Sequence, residues 1–311
     1  MKEFDLITIA DLCVDIILTG DVKPNFRQVE KIIDDCTLEM GGSCSIFACQ
    51  AAKLGLKTAV LGVVGRDVLG QFILESLKRC GVDTSYIRED KNVKTGVGVA
   101  LNKGHNRAIL TYIGSIDALS YSEHLLETIE KARHIHFGSY FILNRIRPSI
   151  PQIIRHVKES DMTISLDTNW DPSGEWSEDL QPILRQVDVF LPNDNELRAI
   201  MNERAFKKAL SRATEIVPLT IVKCGEKGSV CLVGDRLHTV KAMDVKVVDT
   251  VGAGDSFDAG YLYGWLNGMS ISKCMEIGNI CGALNTTKAG GIAGQPTLEQ
   301  IKNVKGGMQI E

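Results

Sequence analysis

The chain has 311 residues, 44% hydrophobic and 24% charged, which is enough to bury a full core and ordinary for a globular protein. Its formal net charge of −4 argues against a nucleic-acid surface, but leaves room for a small anionic ligand in a local positive pocket. The start, Met1-Lys2-Glu3-Phe4-Asp5, lacks the basic and apolar segments of a signal peptide, and no apolar run is long enough to span a bilayer. A cytoplasmic protein with no membrane partner is therefore expected. The nine cysteines include no Cys-x-x-Cys pair and read as buried, reduced thiols rather than disulfides or zinc ligands.

In chain order, residues 4–10 form a short apolar run that reads as a first strand. Residues 12–37 begin β-like, turn at Pro24-Asn25 and continue as a polar run. Residues 58–64 are apolar on consecutive positions, as in a strand covered on both faces. Leu69, Phe72, Ile73 and Leu77 follow at helical spacing. Residues 95–112 read as two strands, 97–101 and 108–112, around the polar turn Asn102-Lys103-Gly104-His105-Asn106. Such a hairpin is either a lid or an edge decoration. Further strands at 134–137, 163–166, 187–191 and 219–223 alternate with helical patterns at 149–157 and 194–201. The alternation predicts an α/β chain whose mostly parallel sheet is covered by helices on both faces.

Near the C-terminus, Val245, Val247 and Val248 read as a short strand that ends at Asp249-Thr250. Gly252-Ala253-Gly254 follow, and then Phe257, Tyr261, Leu262, Trp265 and Leu266 recur at helical spacing. The first amides of a helix lack intrahelical partners and carry the positive end of its dipole, and glycines let a ligand approach the backbone. This arrangement favours a phosphate or a developing negative charge. Asp255 lies at that positive end, whose field favours the carboxylate. It either caps the helix or takes the proton from an attacking hydroxyl. No Gly-Lys-Ser/Thr follows, so this is not a Walker A loop, and Gly-x-Gly-x-x-Gly is missing after the first strand.

The run Asp249-Thr250-Val251-Gly252-Ala253-Gly254-Asp255-Ser256-Phe257 resembles the C-terminal signature of the ribokinase-like (PfkB) family of carbohydrate and nucleoside kinases. Gly41-Gly42 with the later Ala51-Ala52-Lys53-Leu54-Gly55 is similar to the N-terminal signature. Gly65-Arg66-Asp67-Val68-Leu69-Gly70, Asn193-Asp194-Asn195-Glu196 and Gly225-Glu226-Lys227-Gly228 are similar to three further motifs of that family, in the same order. The resemblance covers essentially the whole chain. It implies a single ribokinase-like domain over residues 1–311: a three-layer sandwich with lid segments at about 12–37 and 95–112.

By the same resemblance, Asp255 would be the general base of an ATP-dependent sugar kinase, and the Gly252, Ala253 and Gly254 amides its anion hole. Asn193 and Glu196 would hold Mg2+ through water, and Asn193, Lys223, Gly225, Gly228 and Asn279 would lie along ATP. Asp11, Asp15, Gly41, Gly42, Ser45, Arg107 and Asn169 would meet the sugar. A monovalent cation, K+, would sit between residues 249–251 and 288–295, and a homodimer would form through the β lid. Plainer readings stand beside these: Asp11 as a strand-end cap, Asn193 and Glu196 as a helix cap and an exposed acid, Arg107 facing only solvent. Asp67 reads as a turn former, Trp170 and Trp176 as packing residues, and Arg145 and Arg147 as surface arginines.

Two positions depart from the family pattern. Ile46 stands where the family usually has an Asn that binds a sugar hydroxyl, with Ser43 or Ser45 to compensate, and Trp170-Asp171 stand where an Arg is frequent. Alternatives to the sugar kinase are a nucleoside kinase of the same family and a non-catalytic ligand sensor on the same fold.

Overall fold

The computed structural model describes residues 2–27, 29–103, 106–176 and 179–304. A six-stranded sheet forms its centre. From edge to edge it runs Val189–Phe190, Thr163–Leu166, Ala132–Phe137, Phe4–Ile9, Thr58–Gly65 and Ile87–Asp90. Every pairing in it is parallel. The consecutive apolar residues of these strands are explained by burial on both faces. Leu6 packs with Phe47, Phe257 and Tyr261 of the helices Ser43–Lys53 and Ala253–Leu266. Ile7 and Ile9 point the other way, to Ile153, Ile154 and Val157 of the helix Ile150–Glu159. Helix, sheet and helix thus make three layers.

The helix Ala253–Leu266 is held close to its neighbour, Ile271–Asn285, by glycine contacts. A Cβ on Gly260 would stand 2.7 Å from the Cys281 sulfur, and one on Gly278 3.0 Å from the Phe257 ring. A larger side chain at either position would push apart the helix that carries Asp255.

A second, four-stranded sheet runs Asp35–Gly41, Cys13–Thr19, Gly96–Lys103 and Asn106–Tyr112. The hairpin expected at 95–112 is its second half. The polar run expected after Pro24 contains a strand, and this strand extends to Gly41, past the expected limit at residue 37. It was hidden because only one face of the sheet is covered, so apolar and charged residues are mixed along it. Leu38, Ile16, Val99 and Leu110 lie across one face, and Glu39, Asp15, Gly98 and Thr111 across the other. Arg107 pairs through its backbone with Asn102, and its side chain lies outside the described residues.

Ile221–Lys223 joins Ser229–Val233 and Arg236–Val240 in a small antiparallel sheet. Single parallel bridges, Phe190 to Thr220 and Asn193 to Lys223, dock it on the edge of the central sheet. The strand expected at Val245–Val248 does not form. The Val248 and Asp249 amides donate instead to the Thr286 carbonyl, at 2.8 and 3.1 Å, and Val247 and Val248 remain more than half exposed. Their β-branched pattern has no sheet edge to pair with, so the glycine turn Gly252-Ala253-Gly254 is entered from a loop. Asp67 does form a turn: it caps the helix Val68–Arg79 through the Gly70 amide and also accepts from the Thr95 amide and hydroxyl. All nine cysteines are free, but Cys36 is exposed and Cys80 and Cys224 are half-buried. Among the described residues no helix is long and apolar enough to cross a membrane.

Candidate active site

The carboxyl ends of the central strands converge on one cleft, as open parallel sheets require of their ligand sites. Asp11 follows the first strand and is 4% exposed. Its carboxylate accepts from the Ser43 amide at 2.9 Å, the Cys44 amide at 3.0 Å and the Ser139 hydroxyl at 2.6 Å. Ser43 and Cys44 open the helix Ser43–Lys53, so Asp11 acts as a cap from a distant strand. Ser139 lies at a left-handed φ of 53°, just past the strand Ala132–Phe137. Its hydroxyl also accepts from the Asn169 amide at 3.1 Å, so Asp11, Ser139 and Asn169 form one polar wall. Nothing in the Gly138-Ser139 dipeptide announces this role in sequence.

Asp15 occupies space that two glycines leave open. A Cβ on Gly41 would stand 2.5 Å from its carboxyl carbon, and one on Gly98 2.4 Å from its Oδ1. Gly42, at φ 85°, brings its Cα so close to the Asp11 carbonyl that a Cβ would stand 2.2 Å away. The Gly-Gly pair thus makes room for the two acids. Ser45 is fully buried with an unpartnered hydroxyl, whereas Ser43 reaches the cleft and donates its hydroxyl to Asp255. Ile46 is 3% exposed. Its side chain lies where Cβ atoms on Gly252 and Gly291 would meet it at 2.8 and 2.4 Å. It backs the glycine turn.

Gly252, at φ 72°, precedes the helix Ala253–Leu266, and Asp255 sits in the first turn. Burial pushes the Asp255 carboxyl up to about 7, against the lowering effect of the Ser43 hydrogen bond. The helix dipole was expected to favour its carboxylate; loss of hydration outweighs that field. Near neutral pH the group is then balanced between acid and base, as proton transfer needs.

Behind this turn lies a cavity of about 770 Å3, lined among others by Lys223, Gly225, Gly228, Gly254, Phe257 and Asn279. That volume suits a nucleotide-sized ligand. The Asn279 amide donates to the Val240 and Lys241 carbonyls at 3.0 and 3.2 Å, fixing the loop that forms the cavity's far wall. Gly228, at φ 92°, lies against the same wall, where a Cβ would stand 2.0 Å from the Val240 carbonyl oxygen. Lys223 is clasped by Asp167 and Asp258, two acids that had no place in the sequence reading.

Asn193 and Glu196 form a reciprocal capping box at the start of the helix Asp194–Ile200, each side chain accepting from the other's backbone amide at 2.9 Å. Glu196 is buried, and desolvation pushes its carboxyl up to about 7. The cap uses one of its carboxylate oxygens. Near the glycine turn, Asn285 Oδ1 and Gln295 Oε1 are buried without hydrogen-bond partners. Arg145 and Arg147 lie away from these groups: the Arg145 amide bonds Asp117 and Arg147 pairs with Asp179. Trp170 and Trp176 pack edge to face at 5.0 Å.

A match to the pfkB family of carbohydrate kinases spans residues 5–298. An uncharacterized sugar kinase of Archaeoglobus fulgidus is 34% identical over 246 residues, covering 79% of this chain and 97% of its own. An ATP-dependent 6-phosphofructokinase of Thermoanaerobacterium thermosaccharolyticum is 27% identical over 97% of this chain and 94% of its own. The structure of Arabidopsis thaliana ribokinase complexed with ribose and ATP superposes with a TM-score of 0.86 at 23% identity, covering 97% of this chain and 98% of the other. The architecture is therefore the ribokinase-like three-layer sandwich with a small β lid.

Proposed function

The chain belongs to the pfkB family of carbohydrate kinases, and on that premise we propose that it moves the γ-phosphoryl group of ATP to a sugar hydroxyl with Asp255 as general base. The observation that carries this reading is the position of Asp255. It joins the polar wall of Asp11, Ser43, Ser139 and Asn169 to the glycine turn that borders the large cavity. The sugar binds against the wall, with Asp15 and Gly42 beside it, and ATP fills the cavity along Lys223, Gly225, Gly228 and Asn279. The acceptor hydroxyl replaces Ser43 as hydrogen-bond donor to Asp255. As its oxygen bonds to phosphorus, its proton passes to Asp255 and the bond to ADP breaks. The Gly252, Ala253 and Gly254 amides receive the charge on the transferring group.

Glu196 and Asn193 would hold Mg2+ through water, and the ion would supply neutralisation of phosphate charge there. A monovalent cation such as K+ between residues 249–251 and 288–295, where Gln295 Oε1 is buried without a partner, would stiffen the turn from the far side. The four-stranded sheet acts as the lid, and the exposed row through Leu38 and Leu110 is the surface on which a second copy of the chain would dock.

A sugar rather than a nucleoside is favoured because the acceptor wall is made of acids, hydroxyls and an amide. Trp170 and Trp176, the aromatic pair nearest Asn169 in sequence, pack edge to face on each other and form no parallel sandwich for a base. A silent sensor is disfavoured because Asp255 and the glycine turn stand together between the polar wall and the cavity. Turnover requires the ionised form of Asp255, so log kcat/KM for the sugar should rise with slope 1 below about 7 and level off above it. A kcat/KM that stays flat from pH 5 to 8 would contradict Asp255 as the base.

A further inference from the structure

Lys223 lies behind the glycine turn with its charge almost wholly enclosed. Its side chain is 12% exposed, and those of its two partners, Asp167 and Asp258, are 3% and 1% exposed. The ammonium donates to Asp167 Oδ2 at 2.7 Å and lies 3.0 and 3.1 Å from the two Asp258 oxygens. Each member is fixed by a different part of the fold. Asp167 follows the strand Thr163–Leu166, and its amide donates to the Phe137 carbonyl at 2.8 Å. Lys223 ends the strand Ile221–Lys223, and its amide donates to the Pro192 carbonyl at 2.9 Å. Asp258 sits on the helix Ala253–Leu266, one turn beyond Asp255. The lysine passes directly under the turn: a Cβ on Gly254 would stand 3.5 Å from its Nζ.

Stability alone does not account for this cluster. A buried ion pair is often no better than apolar residues of the same volume, because the cost of desolvating both charges offsets their attraction. What the cluster does achieve is geometric and electrostatic. It ties the second turn of the helix Ala253–Leu266 to two strand ends. It also sets one positive charge behind amides that face the transferring group.

We propose that Lys223 is a positioning residue for phosphoryl transfer: clasped by Asp167 and Asp258, it fixes the start of the helix Ala253–Leu266 and sets its ammonium behind the Gly252–Gly254 turn. This rests on Asp255 and the glycine turn being the site of transfer. The ammonium also acts on Asp255. Burial pushes that carboxyl up and the Ser43 hydroxyl draws it down from the acceptor side, while Asp167 pushes it up, Lys223 draws it down and Asp11 adds to the rise. Lys223 thus offsets part of the rise that burial and its own partner Asp167 cause.

The test compares wild type, Lys223→Met and the double variant Lys223→Met/Asp258→Asn, which leaves one acid, rather than two, without its cation. Three quantities are read: melting temperature, KM and kcat with sugar and ATP, and the midpoint of the Asp255 carboxyl 13C resonance, which does not depend on turnover. Lys223→Met should melt lower, lose roughly 100-fold in kcat with the sugar KM within about three-fold, and titrate Asp255 about one pH unit higher. The double variant should recover part of the melting temperature and keep both the kcat loss and the raised midpoint. If the single variant does not fold, the double variant carries the test. Recovery of kcat together with melting temperature would show that Lys223 serves stability only, and an unmoved Asp255 midpoint would equally overturn the proposal. The underlying assignment fails separately, if Asp255→Asn retains wild-type turnover.

Discussion

Asp255→Asn is expected to lower kcat by about 1,000-fold, the scale of a lost general base, while KM for ATP and sugar changes by only a few-fold. An amide keeps the shape of the side chain and can still meet the Ser43 hydroxyl, so the pocket stays formed. A coupled ADP-release assay at saturating substrates reads the effect. The same substitution should stabilise the protein at alkaline pH. The folded carboxyl holds its proton up to about 7, whereas its ordinary value is 3.8. Between these values the folded state binds more protons, so this group's contribution is fully present below about 4 and is lost as pH rises towards 7. Asparagine has no charge to bury. The variant should therefore melt roughly 3 °C or more above wild type at pH 8, and the gain should vanish near pH 4. Higher stability with lost turnover is the signature of a group kept in a costly environment for its chemistry.

Asp11→Ala is expected to have the second largest effect, and of a different kind. It leaves two helix-opening amides and the Ser139 hydroxyl without their acceptor in a buried site. Each abandoned donor costs about 1–3 kcal/mol, so a fall of several degrees in melting temperature should accompany the kinetic effect. The sugar loses a charged hydrogen-bond partner, and its KM should rise roughly 10- to 100-fold with KM for ATP little changed. Steady-state kinetics with each substrate varied in turn separates the two constants. An unchanged sugar KM would return Asp11 to the plainer role of a cap on the helix Ser43–Lys53.

The parts of this fold that were legible in sequence are those governed by local pattern. Consecutive apolar residues at 58–64 and 163–166 announced strands buried on both faces, and the structure has strands there. The glycine turn and Asp255 stood out because nine adjacent residues carry the signal. Two local patterns misled. Val245, Val247 and Val248 look like a strand but find no partner edge, because the adjoining sheet ends at Arg236–Val240. The strand Asp35–Gly41 looked like a polar loop because one of its faces turns to solvent.

Lys223, Asp167 and Asp258 were illegible together for another reason. They stand 56 and 35 positions apart in the chain and meet only when the small sheet docks on the central one. Ser139 is a further case: its role depends on a backbone angle that sequence does not display. Asn193 and Glu196 do form the helix cap that one reading expected, but Glu196 is buried rather than the exposed acid of that reading, because the capping box turns its carboxylate inward.

The central claim is that this pocket phosphorylates a sugar. The most direct measurement is ADP release by the wild-type protein with ATP and Mg2+ over a panel of neutral sugars, phosphosugars, sugar acids and nucleosides, with the product confirmed by 31P NMR. The account predicts that one sugar or sugar derivative is turned over with kcat/KM at least about 100-fold above every nucleoside, a margin set by the loss of hydrogen bonds to Asp11, Asp15 and Asn169. A nucleoside as the best acceptor, or ADP release that no acceptor stimulates, would contradict it.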